Sequence, residues 1–240
     1  MKFLRRIEAR FLLAMAALGG GLWVVLKLAS EVKEGETGAF DRAVLLALRT
    51  PDDPHNPIGP NWLQEAARDM TALGGFTVLT LVSVAAVAVL LIYRRREKAL
   101  VFAVTVVLAQ VAAALLKATI DRPRPDLVSH LDLTYSSSFP SGHSVMSPVV
   151  YFTLAILISA GEIRRPARIL LVGGAAILVV AIGVSRVYLG VHWPTDVLGG
   201  WALGSAVALS SWFVLRRVGP GRLASAADRP EDGQASIGKA

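Results

Sequence analysis

The chain contains no cysteine. That excludes disulfide staples and thiolate metal sites, neither of which a bilayer-embedded fold needs. Charged residues make up only 18% of the 240 residues and aromatics 7%. Acids are the scarcer sign: 25 Lys and Arg stand against 18 Asp and Glu, a formal net charge of +7. A basic balance points to nucleic acid when cations line an aromatic-studded face, and no such face is present. The cations cluster instead in short loops between apolar runs, which is a topology signal. An internal repeat is also lacking, which leaves a single domain.

What the sequence has is hydrophobicity, at 54% of residues and a mean hydropathy of +0.54. The apolar residues come in runs of about twenty, the length that crosses a bilayer core. The reading is all-α: an integral membrane bundle of six transmembrane helices, with spans at about 11–29, 72–93, 99–117, 144–160, 169–184 and 195–215. The first run follows a basic start (Lys2, Arg5, Arg6, Arg10) and could open a signal peptide. Its length and the poor cleavage context Lys27-Leu28-Ala29-Ser30 favour an uncleaved span. Residues 31–71 hold eight acids, four bases and the prolines 51, 54, 57 and 60. Within them, Phe40–Leu48 and Trp62–Met70 predict short amphipathic helices suited to the membrane interface. They fit either a loop packed on the bundle or a rim that guides a lipid sideways into a site. The domain is expected to end near 218, with 219–240 a disordered tail rich in Gly, Ala, Ser and charge.

Loop charge sets the orientation. The N-terminus, the 94–98 loop, the 161–168 loop and the Arg216-Arg217 flank are basic. They alternate with the acidic 31–71 loop and with the polar segments 118–143 and 185–196. Six spans with both termini cytoplasmic satisfy the positive-inside rule at every loop. The three polar pieces then meet on the outer side.

Those pieces carry the chemistry. In Lys117 through Pro125, Lys117 ends an apolar helix and Arg124 sits between two prolines that limit where its guanidinium points. Arg grips phosphate bidentately and Lys adds a mobile point charge. Alone, the segment fits a helix end meeting headgroups better than a phosphate site. In Pro140-Ser141-Gly142-His143, Ser141 is a good N-cap and Gly142 leaves its N–H exposed, so the following helix offers an anion seat. His143 in that first turn can donate a proton, or be a solvated histidine on a capped helix. In Ser185-Arg186 through Asp196, Pro194 suits a first helical position, which places Asp196 in the first turn and in reach of His192. A carboxylate on one ring nitrogen fixes the tautomer and frees the other to attack. Arg186 supplies a third cation. His143, His192 and Asp196 also have the ligand types of a metal site, but three neighbouring cations suit an anion better than a dication.

With these residues the chain resembles the type 2 phosphatidic acid phosphatase superfamily, whose soluble relatives include bacterial acid phosphatases and vanadium haloperoxidases. Its three patterns, K-x6-R-P, P-S-G-H and S-R-x5-H-x3-D, occur in order at Lys117–Pro125, Pro140–His143 and Ser185–Asp196. The resemblance implies a hydrolase that needs no metal and no cofactor and works through a phosphohistidine. It implies His192 as nucleophile, Asp196 as its orienting carboxylate and His143 as general acid. Lys117, Arg124, Ser141, Gly142 and Arg186 match the phosphate-binding positions. The implied substrate is a membrane lipid with a terminal phosphate or diphosphate: undecaprenyl diphosphate, phosphatidylglycerol phosphate, phosphatidic acid or the lipid A 1-phosphate. A bacterial inner membrane, with the site on the periplasmic side, and no obligate protein partner go with it. A lipid-to-lipid phosphotransferase would use the same site. A non-catalytic lipid-binding or transport protein is disfavoured, because every catalytic position is filled.

Overall fold

A bilayer gives the backbone no hydrogen-bond partners, so apolar runs of this length close their bonds internally as helices. The computed structural model describes residues 2–134, 136–159 and 164–217. The elements are α1 (Lys2–Glu34), α2 (Gly38–Ala47), β1 (Arg49–Thr50), β2 (Asp53–Pro57), α3 (Asn61–Ala72), α4 (Phe76–Ile92), α5 (Arg96–Ile120), α6 (Gly142–Ser159), α7 (Arg165–Tyr188) and α8 (Pro194–Arg217). The expected tail at 219–240 lies outside the described residues. Among the described residues, α5, α6, α7 and α8 as far as Leu215 are long and apolar enough to cross a membrane. The α3–α4 pair, bent by 41°, adds a fifth if taken as one span. The chain is a multi-pass membrane protein. Large side chains such as Phe76, Leu170 and Ile177 are about three-quarters exposed, as a lipid-facing surface requires.

The helix ends differ from the sequence reading in informative places. The second span begins at Phe76, not 72, because Leu73–Gly75 breaks the chain between α3 and α4. The third continues to Ile120, where Asp121 adopts a left-handed conformation (φ 44°) and its N–H bonds the Lys117 carbonyl. The fifth continues through Ser185 and Arg186, which the sequence placed beyond the span. Ser185 Oγ donates to the Ile182 carbonyl at 2.7 Å, and Arg186 pairs with a carboxylate, so neither residue forces the helix to stop. The sequence reading also lacked the two-stranded antiparallel hairpin β1–β2, whose strands are separated by Pro51-Asp52.

Helix α8 packs on α1, α5, α6 and α7. The main core joins Val25, Phe102, Val145, Val149, Val150 and Leu203. Small residues set the α6–α8 spacing, as is common where helices meet in a bilayer. A Cβ at Gly200 would stand 2.6 Å from Ser144 Cβ, and one at Gly204 would overlap the Val145 carbonyl oxygen. This contact brings the N-termini of α6 and α8 together, and Ser141 N–H donates to the Asp196 carbonyl at 3.1 Å. Gly204→Ala is therefore expected to cost roughly 1–3 kcal/mol by overpacking and to lower the melting temperature in detergent. An unchanged melting temperature would contradict this close approach.

Candidate active site

The three polar pieces converge where α5, α6, α7 and α8 end together. Gly190, at φ 74°, makes the turn from α7 to His192. A Cβ there would meet the Ser129 carbonyl at 2.7 Å, so the position needs glycine both for its backbone and for room. Four residues later Pro194 opens α8, and Asp196 falls in its first turn.

His192 is 2% exposed and Asp196 fully buried. His192 Nδ1 lies 3.3 Å from Asp196 Oδ2, and His192 Nε2 lies 3.3 Å from Arg124 Nη1. Arg124 can only donate, so Nε2 must be the unprotonated nitrogen and Nδ1–H faces the carboxylate. Asp196 Oδ2 also accepts from Ser138 Oγ and from the Trp193 N–H at 2.9 Å. Burial pushes the His192 imidazole from its ordinary 6.5 down to about 4, against the opposing pull of Asp196. The ring is therefore neutral at pH 7. Unfolded chains take up this proton first, so the stability that the neutral ring brings is present above pH 6.5 and lost as pH falls towards 4. Histidine-selective NMR of the protein in detergent should show a His192 signal that does not titrate between pH 8 and 5; a midpoint near 6.5 would contradict its burial.

Arg124 stands on the Nε2 side. Its Nη1 donates to the Val191 carbonyl at 2.6 Å and Nε to the Ser136 carbonyl at 2.8 Å, which fixes the guanidinium beside Nε2. Burial and the like charge of Arg186 lower the Arg124 pKa to about 10, so it stays charged at neutral pH. Lys117 Nζ donates to the Ser137 carbonyl at 2.5 Å. Ser141 stands at the N-cap of α6, with Oγ 3.5 Å from Ser144 N, and Gly142 and His143 form the first turn. His143 lines a largely apolar cavity of about 360 Å³ bounded by α4, α5 and α6, with Leu79, Val107 and Gln110 further down its wall. The α3–α4 break passes directly over it: a Cβ at Gly74 would lie 3.2 Å from His143 Cδ2.

Every residue singled out from the sequence thus sits in this one region, but Arg186 is not a free cation. Its Nη1 pairs with Asp132 at 2.5 Å and donates to Thr71 Oγ1 at 2.9 Å. Burial works to raise the Asp132 pKa, but its hydrogen bond and ion pair with Arg186 hold the carboxyl below its ordinary range. Arg186 Nε, buried, has no protein partner among the described residues. Sequence reasoning also missed Asp41, Arg122 and Ser138. Arg122 Nη1 meets Asp196 Oδ1 at 2.6 Å, its Nη2 meets Asp41 Oδ2 at 2.6 Å, and its guanidinium carbon lies 5.5 Å from the Trp193 ring centroid. Asp41 carried one signal: with Leu45 and Leu48 it shares the i, i+4, i+7 face of a short apolar helix, an unusual place for an acid.

Residues 98–219 match the family described as the PAP2 superfamily. The chain belongs to the PAP2 superfamily. It is 35% identical over 144 residues to phosphatidylglycerophosphatase B of Bacillus subtilis (strain 168), covering 60% of this chain and 70% of that one. It is 32% identical over 132 residues to an undecaprenyl-diphosphatase of Sulfolobus acidocaldarius, covering 52% of this chain and 59% of the relative. The crystal structure of a transmembrane PAP2 type phosphatidylglycerolphosphate phosphatase from Bacillus subtilis superposes with a TM-score of 0.73 at 28% identity, over 86% of this chain and 100% of that one. These PAP2 relatives are named as phosphatases of lipid phosphates, the activity class that the sequence motifs implied. The PAP2 match contains Lys117, Arg124, Ser141, Gly142, His143, Arg186, His192 and Asp196, whereas Asp41 lies outside it.

Proposed function

We propose that the protein removes a terminal phosphate or diphosphate from a membrane lipid, without a metal ion, through a phosphohistidine on His192. The observation that carries this reading is the polarity of the His192 ring, with Asp196 behind Nδ1 and the Arg124 guanidinium at Nε2. Nε2 attacks phosphorus, and the bond from phosphorus to the lipid oxygen breaks. His143 protonates that oxygen as it leaves. Positive charge then develops on the ring, and Asp196 stabilises it. A water, deprotonated by His143, attacks the phosphohistidine; phosphate leaves and the ring is neutral again. Lys117, Arg124, Arg186, Ser141 and the Gly142 N–H offset the charge on the transferring phosphoryl group. The unpartnered Arg186 Nε is a donor that a phosphate oxygen would satisfy.

A lipid fits because the apolar cavity runs from His143 along α4 and α5, so a headgroup at the histidines can leave its chain in the groove. Counting α1 and the bent α3–α4 pair gives six spans. With the basic loops on the cytoplasmic side, both termini are cytoplasmic and the site opens on the outer face of the inner membrane. The α3–α4 break at Gly74 then stands at the rim where a lipid would enter.

Phosphate release by the purified protein in detergent, with EDTA present, tests the proposal. The panel is phosphatidylglycerol phosphate, undecaprenyl diphosphate, phosphatidic acid and lipid A. Release from at least one lipid in EDTA is expected, and the preferred lipid defines the substrate. Release that EDTA abolishes and a divalent ion restores would overturn the metal-free mechanism, and no release from any of them would overturn the function.

A further inference from the structure

Asp41 comes from α2, far in sequence from the three motifs, yet it is as buried as Asp196. Its Oδ1 accepts the Thr195 N–H at 2.9 Å, and its Oδ2 accepts Thr195 Oγ1 at 2.7 Å and Arg122 Nη2 at 2.6 Å. The other arm of the Arg122 fork donates to Asp196 Oδ1 at 2.6 Å and to Thr195 Oγ1 at 2.8 Å. One guanidinium therefore spans two buried carboxylates, and both carboxylates clasp the first turn of α8. A planar fork can do this and an ammonium cannot.

We propose that Asp41 and Arg122 are positioning residues for the reaction at His192, acting through Asp196. This rests on the phosphohistidine reading above. Arg122 occupies Asp196 Oδ1, which leaves Oδ2 to face His192 Nδ1. Arg122 alone would cancel the charge of Asp196 and weaken the carboxylate's hold on the ring. Asp41 shares that cation. Two carboxylates and one guanidinium leave one net negative charge behind a neutral imidazole. That charge is balanced when Nε2 bonds to phosphorus and the ring becomes cationic. On the opposite side of the ring, Arg124 faces Nε2 instead. Because α2 carries Asp41, an element outside the motif-bearing core takes part in setting the nucleophile.

The test is a set of double-mutant cycles on phosphate release from the preferred lipid, using the full chain in its monodisperse size-exclusion fraction. Asp41→Asn and Arg122→Gln are each expected to lower kcat by roughly 10- to 100-fold, the worth of a charge-assisted hydrogen bond, with KM changed less than about twofold. Arg122→Lys should keep more activity than Arg122→Gln. In an Asp196→Asn background, neither substitution should cost more than about a further twofold, since the residue they act through is already neutral. A merely structural role predicts the same loss in both backgrounds. Full additivity in that background, a loss confined to KM, or no loss would each overturn the proposal. If Asp41→Asn is not monodisperse, the two Arg122 variants make the same comparison. A wild type that releases no phosphate overturns the function reading and this one with it; an active wild type with intact variants overturns this one alone.

Discussion

Replacing His192 with alanine is expected to lower phosphate release by about four orders of magnitude or more, the scale seen when a covalent nucleophile is removed. In the proposed mechanism water attacks only the phosphohistidine, and alanine offers no nitrogen on which that intermediate can form. The protein should still fold. His192 is held by polar contacts to Arg124, Ser138 and Asp196. Removing a ring whose protonation burial resists also removes a source of acid instability. Expression and the size-exclusion profile should therefore stay near wild type while phosphate release disappears. A variant with most of its activity intact would show that another group attacks.

The second large effect is expected at His143, and it depends on the leaving group. A lipid alkoxide is a poor leaving group and needs its proton, so His143→Ala should lower kcat on a lipid monophosphate by about 10²- to 10⁴-fold. With p-nitrophenyl phosphate the leaving oxygen needs little help and the first step survives. The second step still lacks the base that activates water. The variant should therefore release close to one p-nitrophenol per site in a burst and then turn over slowly. Equal losses on both substrates without a burst would show that His143 has another task, such as holding the α3–α4 break against α6.

The contrast between what the sequence disclosed and what it hid has a physical cause. Span positions follow from apolar run length, and the three motifs lie at span ends, so their convergence follows once the spans alternate. Helix ends were less legible because polar residues there find partners. Ser185 bonds back to Ile182, and Arg186 finds Asp132 54 residues away, so α7 runs four residues beyond where its polarity suggested an end. Arg122 sits inside the first motif, but the spacing from Lys117 to Arg124 gives the intervening positions no role. Its partner Asp41 is 81 residues distant, in a loop whose composition spoke only of an interface. Local patterns expose groups that repeat along an element, whereas a buried ion pair between distant elements leaves at most an acid on an apolar face.

The phosphohistidine is a covalent intermediate, and trapping it is the decisive experiment. The protein would be mixed with its lipid substrate carrying labelled terminal phosphate, quenched in alkali within one turnover, digested and mapped. Label that is stable to alkali and labile to acid is expected on the peptide containing His192 and absent from His192→Ala. Label on any other residue, or rapid phosphate release with no label on the protein at any time within the first turnover, would contradict it.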